Sequence, residues 1–241
     1  LRRRDATMKI SLKVFRYDPE RDDVPRYQTY DLEVEALDTM LDAVTKVRYQ
    51  LDGSLNFRRA CSHAICGSCA MTVNNESKLA CQTLVKDCHP EKPILVEPLR
   101  SYPVIRDLIV DMDRFYEKLG RIKPYFESEL QAPFNEREQS QEQQLRIDEA
   151  ASCILCGSCI SACPSFWAND DYMGPAVLLK AYRFIADSRD TCGAERIARV
   201  SDRDGLWRCH NIANCMEACP KEITITHWIN ELKMMAFSSK I

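Results

Sequence analysis

Glycine is scarce: the 241 residues include only seven, and none falls in a G-x-G-x-x-G or G-x-x-x-x-G-K-[ST] pattern. The chain therefore offers no glycine-rich loop to cradle a pyrophosphate or triphosphate, and no flavin, nicotinamide or nucleotide site is visible. No C-x-x-C-H sequence is present to attach haem. No run of about eighteen apolar residues occurs, so no segment is expected to cross a bilayer alone and any membrane attachment comes through partners. A basic excess is missing too. The formal net charge of -3 provides no field to gather phosphate backbones, which argues against nucleic acid as a partner. Leu1-Arg2-Arg3-Arg4 hints at a twin-arginine signal, but Asp5 to Lys9 follow where an apolar stretch is needed, so export is not expected. A start at Leu leaves open a trimmed or incomplete N-terminus.

What is present is ordinary globular composition, 45% apolar and 29% charged, with a heavy load of thirteen cysteines. Disulfide scaffolds are short secreted chains with dispersed cysteines, whereas these sit in tight groups, so metal ligation is the natural reading. Ile10, Leu12 and Val14 alternate with polar residues, as do Tyr30, Leu32 and Val34, which predicts two half-buried strands. Asp38 is the expected N-cap of a helix through Leu41, Val44, Arg48 and Leu51 that ends at Gly53. Met71 and Val73 lead to the turn pair Asn74-Asn75, and Ile94 to Val96 reads as a further strand. Residues 8–100 thus form a small α+β domain. Ile105, Leu108, Ile109, Met112, Phe115, Tyr116 and Leu119 fit one apolar helical stripe, and 127 to 149 a solvated connector or polar helix. A connector is therefore placed over 101–150. Residues 151–241 read as mainly helical, with helices from Gly174-Pro175 and around Trp228, Ile229, Leu232 and Met235.

Cys61, Cys66, Cys69 and Cys81 have the C-x4-C-x2-C spacing with a distant fourth cysteine of plant-type [2Fe-2S] sites. A zinc site fits less well, because zinc favours two C-x2-C knuckles. Arg58 and Arg59 either offset the charge of a cluster there or are solvated, and His63 is a loop residue, since all four cysteines of the set are present.

Cys153, Cys156, Cys159 and Cys163 followed by Pro164 spell the bacterial ferredoxin run, whose fourth cysteine serves the other cluster. The matching run is Cys209, Ile212, Cys215, Cys219 and Pro220, with isoleucine at the second ligand position. Crossing the fourth ligands assigns Cys153, Cys156, Cys159 and Cys219 to a [4Fe-4S] cluster, and Cys163, Cys209 and Cys215 to the other. Ile212 offers iron no lone pair, so a [3Fe-4S] cluster is expected there. A [4Fe-4S] cluster with a water-bound iron, or one completed by Cys192, is the alternative. Cys88 and Cys192 otherwise read as buried small hydrophobes.

This order of motifs resembles the iron-sulfur subunit of succinate dehydrogenase and fumarate reductase. So do Arg58-Arg59-Ala60-Cys61, Val104-Ile105-Arg106-Asp107-Leu108, Arg121-Ile122-Lys123-Pro124-Tyr125, Ser188-Arg189-Asp190 and Arg208-Cys209-His210. The resemblance spans nearly the whole chain. It implies an α+β protein in which an N-terminal β-grasp [2Fe-2S] ferredoxin-like domain precedes an all-α helical ferredoxin domain. It also implies a route from FAD in a flavoprotein subunit, through two-iron, four-iron and three-iron clusters, to quinone at a membrane anchor with or without haem b. Such a chain lies on the cytoplasmic face of a bacterial inner membrane, or the matrix face of the mitochondrial one, through its partners. Carried over by position, Pro164, Ser165, Trp167, His210, Ile212 and Lys233 become quinone-pocket candidates. Related dehydrogenases often have a Trp-Trp pair where this chain has Trp167-Ala168, with a shorter run to Gly174-Pro175. Pro164-Ser165-Phe166-Trp167 and Arg208-Cys209-His210 resemble the dehydrogenase branch. Fumarate reduction with the same parts, a soluble multi-cluster adaptor of another dehydrogenase, and a zinc-binding interaction module are the competing readings.

Overall fold

The computed structural model describes residues 7–238. It divides into two compact units, one made of the described residues up to Asp111 together with Ile154–Ser161, the other of Met112–Cys153 and the described residues from Ala162 onward.

The first unit is built on a five-stranded mixed sheet. Its strands are β1 (Met8–Arg16), β2 (Arg26–Val34), β3 (Ala70–Val73), β4 (Glu76–Leu79) and β5 (Ile94–Glu97), in the order β2-β1-β5-β3-β4. β1 runs antiparallel to β2, with Leu12 opposite Tyr30, and parallel to β5, with Leu12 opposite Ile94. The alternating apolar residues of β1 form the core face, where Ile10, Leu12 and Val14 are buried. Asn74 and Asn75, at φ 48° and 69°, make the two-residue turn joining β3 to β4, left-handed at both positions as a type I′ hairpin requires. Helix α1 (Met40–Lys46) continues into a π-helical turn over Val47–Leu51 and buries Met40, Leu41, Ala43 and Val44 in the sheet's core. This is the β-grasp arrangement.

Two local expectations are corrected. The cap of α1 is Thr39, not Asp38: Thr39 Oγ1 accepts from Asp42 N at 3.2 Å while the Asp42 carboxylate accepts from Thr39 N at 2.9 Å. Asp38 instead pairs with Lys46 at 2.6 Å. The stripe from Ile105 to Leu119 is not one helix. Val104–Arg106 (β6) and Ile109–Val110 (β7) pair as a small hairpin, and only Asp113–Arg121 (α2) is helical. Asp107 breaks the helix at φ 48°, and its buried carboxylate accepts from Arg16 Nε (2.9 Å), Tyr17 N (3.1 Å) and Asn56 N (2.9 Å). These long-range bonds outweigh a local periodicity.

The second unit is helical. Besides α2 it contains α3 (Gln141–Ala151), then α5 (Pro164–Ala168), α6 (Pro175–Ile185), α7 (Gly193–Val200), α8 (Asn214–Glu217) and α9 (Ile225–Ser238); the short α4 (Ser158–Ser161) belongs to the first unit. α6, opened by Gly174-Pro175 as expected, is buried along most of its length and packs against α2, α3, α7 and α9. Tyr182 of α6 lies 4.9 Å from the Trp228 ring of α9, and Trp228 Nε1 donates to Glu149 of α3 at 2.7 Å. Arg196 is fully buried, donating to Tyr125 O at 2.8 Å and Ile122 O at 3.1 Å and pairing with Asp190. It ties the connector after α2 to α7.

Candidate iron-sulfur cluster sites

All thirteen cysteines are free thiols. The loop carrying Cys61 and Cys66 turns through left-handed residues at Ser62, Ala64 and Gly67, with φ of 57°, 61° and 70°. Such a backbone points successive N–H groups inward. Cys61 Sγ accepts from His63 N (3.5 Å), Ile65 N (3.4 Å) and Cys66 N (3.3 Å), Cys81 Sγ from Ala64 N (3.3 Å), and Cys69 Sγ from Cys81 N (3.4 Å). The N–H groups of His63, Ile65 and Cys66 bring the Cys61 thiol down to about 6, and those of Cys61 and Ser68, with the Ser68 hydroxyl, lower Cys66. Burial pushes Cys69 up to about 12. Four thiols crowded this way, some readied as thiolates and one buried without a counter-charge, suit an electropositive metal core. Arg58 donates to Val110 O at 2.6 Å, and Arg59 lies over Tyr49, 5.8 Å from the ring centre. Each thus has a partner of its own.

Gly67 has a second role. A Cβ there would lie 2.9 Å from Cys156 Cα, Cys156 Cβ and Ile154 O. The two-iron loop and the Cys156 segment therefore touch inside the first unit, where Ile154 and Cys156 pack on the sheet core. Ser161 Oγ bonds Ser77 Oγ (3.0 Å) and accepts from Arg100 N (2.9 Å), fixing this segment to the sheet.

The two ferredoxin-type runs share a backbone signature. Leu155 and Gly157 follow Cys153 by two and four residues with φ of 55° and 84°; Asn211 and Ala213 follow Cys209 at the same offsets with φ of 57° and 74°. Positive φ is uncommon for non-glycine residues, and its repetition means that both loops turn alike. Ile212 therefore stands in the loop position that Cys156 holds in its own run.

In the second unit, the Cys163, Cys209 and Cys215 thiols act on one another. Burial pushes Cys215 up to about 12, with Cys163 and Cys209 adding to it, and burial together with Cys209 raises Cys163. With Cys215 buried and Cys163 and Cys209 half-buried beside it, thiolates gathered here would need positive charge between them, which a metal cluster would supply. Tyr172, fully buried, faces the same three thiols. Sequence reasoning missed it, because a tyrosine three residues before α6 begins carries no motif. Cys153, in the second unit, lies near the Lys180 ammonium. Cys219 follows α8, and Cys159 sits buried in α4. Cys88 is buried in the sheet core as expected, whereas Cys192 is only half-buried, just before α7.

Of the quinone candidates, Ser165 is buried, Pro164 and Lys233 are half-buried, and Trp167, His210 and Ile212 are exposed. Lys233 Nζ donates to Cys209 O at 2.8 Å, so it reaches the start of the second ferredoxin-type run.

Comparison with known proteins agrees with this chemistry. A family model described as a 2Fe-2S iron-sulfur cluster binding domain matches residues 11–117, and one described as a 4Fe-4S dicluster domain matches 145–220. The succinate dehydrogenase iron-sulfur subunit of Coxiella burnetii is 39% identical over 93% of this chain and 95% of its own length. The chain belongs to the succinate dehydrogenase iron-sulfur subunit family. The Paracoccus denitrificans member is 38% identical, with 95% of this chain and 89% of that protein covered. A chain of the Mycobacterium smegmatis Sdh1 complex in the apo form superposes with a TM-score of 0.87 at 29% identity, covering 98% of each chain. The family's sheet domain with a two-iron site, followed by a helical region with a dicluster site, is the architecture seen in this chain.

Proposed function

We propose that this chain relays electrons in a succinate:quinone oxidoreductase, from the FAD of a flavoprotein subunit to quinone at a membrane anchor. Cys61, Cys66, Cys69 and Cys81 hold the [2Fe-2S] cluster; Cys153, Cys156, Cys159 and Cys219 hold the [4Fe-4S] cluster; Cys163, Cys209 and Cys215 hold a [3Fe-4S] cluster. The clusters, when bound, take up and release electrons one at a time, and the chain's residues set their spacing and surroundings. The observation that carries the three-iron reading is the matched turning of the two ferredoxin-type loops, in which Ile212 has the offset that Cys156 has in its own run. The contact of Gly67 with Cys156 supports a short first hop between neighbouring ligand loops.

Pro164, Ser165, Trp167, His210, Ile212 and Lys233 are the residues of this chain that face quinone. Ser165 is tied to the Cys163 thiol and Lys233 to the Cys209 carbonyl, while Trp167 and Ile212 expose apolar surface. Among the described residues no helix is long and apolar enough to cross a membrane, in keeping with attachment through an anchor subunit. Succinate oxidation is the favoured direction. The test is purification of the chain from membranes with its partners, assayed for iron, acid-labile sulfide and succinate-dependent quinone reduction. About nine irons and ten sulfides per chain, with quinone reduction, are expected; a chain isolated with zinc, or alone and without a flavoprotein, contradicts the proposal.

A further inference from the structure

The side chain of Tyr172 is an anomaly in the second unit. The residue has no solvent exposure, and its hydroxyl has no hydrogen-bond partner in the protein. A buried polar atom left in this way costs about 1–3 kcal/mol and calls for an acceptor outside the polypeptide. The groups that act on the hydroxyl are the sulfurs of Cys209, Cys163 and Cys215, Cys209 most directly, although it completes a hydrogen bond with none of them.

The position is held from several sides. Tyr172 O accepts from Lys118 Nζ at 2.7 Å, and the same ammonium bonds Asp170 O and stands 4.6 Å over the Phe166 ring. The Tyr172 and Phe166 ring centres are 6.5 Å apart, and Met173 N donates to Asp204 O at 2.8 Å. Lys118 is itself buried, so this clamp is unusual for a loop between α5 and α6. The ring is fixed with its hydroxyl toward the sulfurs.

We propose that Tyr172 donates a hydrogen bond to a sulfur of the cluster held by Cys163, Cys209 and Cys215, and so raises that cluster's reduction potential. This rests on the three-iron reading above. Reduction adds negative charge that spreads onto the sulfurs, so a donor aimed at one of them stabilises the reduced form more than the oxidised form. Tyr172 is thereby a positioning and tuning residue for the last electron hop. It is not a ligand.

The test is Tyr172→Phe in the assembled complex, which keeps the ring and removes only the hydroxyl. The three-iron paramagnetic signal is followed in a redox titration, with the two-iron signal as internal control. At a fixed potential the reduced-to-oxidised ratio of the three-iron cluster is expected to fall about tenfold, equivalent to ~59 mV for one electron. The two-iron midpoint stays where it was. The parent protein is also expected to show an exchangeable proton coupled to the oxidised cluster, read by electron-nuclear double resonance, and its absence overturns the proposal even if the variant fails to assemble. An unchanged or raised three-iron potential, or no exchangeable coupling in the parent, overturns the proposal. A parent lacking any three-iron signal contradicts the cluster assignment itself, and this inference with it.

Discussion

Replacing Gly67 with alanine is expected to lever the Cys156 segment away from the two-iron loop. Gly67 sits at φ 70°, where an L side chain costs about 1–2 kcal/mol. Its Cβ would also come within 2.9 Å of Cys156 Cα, Cys156 Cβ and Ile154 O, well inside the ~3.5–4.0 Å optimum for carbon contacts. Relief of such an overlap in packed surroundings costs about 1–3 kcal/mol. The total is roughly 2–5 kcal/mol. The bonds that hold Ile154–Ser161 on the sheet, Ser161 to Ser77 and to Arg100 N, are each worth about 1 kcal/mol, so shifting this segment is the cheapest response. Thermal unfolding of the cluster-loaded protein reads the loss as a fall of roughly 4–20 °C. Spin coupling between the two-iron and four-iron clusters reads the displacement. Gly120→Ala is the control: nothing lies within 4 Å of its Cβ, and in α2 it should be neutral or stabilise by about 0.5–1 kcal/mol. A Gly67→Ala protein that loses less than about 1 kcal/mol and keeps its spin coupling refutes the close approach.

Arg196→Met should destabilise the second unit by about 3–5 kcal/mol, because Asp190 and the carbonyls of Ile122 and Tyr125 lose a buried cation; chemical denaturation measures it. Lys118 gives a pH signature. Burial, with Arg114 adding to it, lowers its ammonium to about 8, while the unfolded chain keeps the ordinary 10.5. Between these values the unfolded state binds the extra proton, so the parent should gain stability relative to Lys118→Met as pH rises from about 8 to 10.5. A flat difference across that window, measured by denaturant titration at each pH, contradicts the assignment.

The sheet was legible because β1 and β2 alternate strictly and because Asn74-Asn75 can hold two left-handed residues with little strain. The two cluster domains were legible from cysteine spacing, and the 2Fe-2S and 4Fe-4S dicluster family models cover those same runs. What stayed hidden depended on distant partners. Asp107 looks like part of a helix until Arg16 and Asn56 are seen converging on its carboxylate. Thr39 and Asp42 form a reciprocal cap one residue beyond the expected Asp38. Tyr172 has no local pattern at all; its meaning comes from three cysteines in two separate runs of the chain. Ile154–Ser161 likewise groups with the sheet through Ser161, a contact that chain order cannot show.

The central claim is that Ile212 leaves one cluster a ligand short, and electron paramagnetic resonance of the oxidised protein with and without Ile212→Cys tests it most directly. The parent should show a three-iron signal and the variant should lose it as a fourth iron is retained. A parent without that signal, or a variant that keeps it at full intensity, would contradict the account.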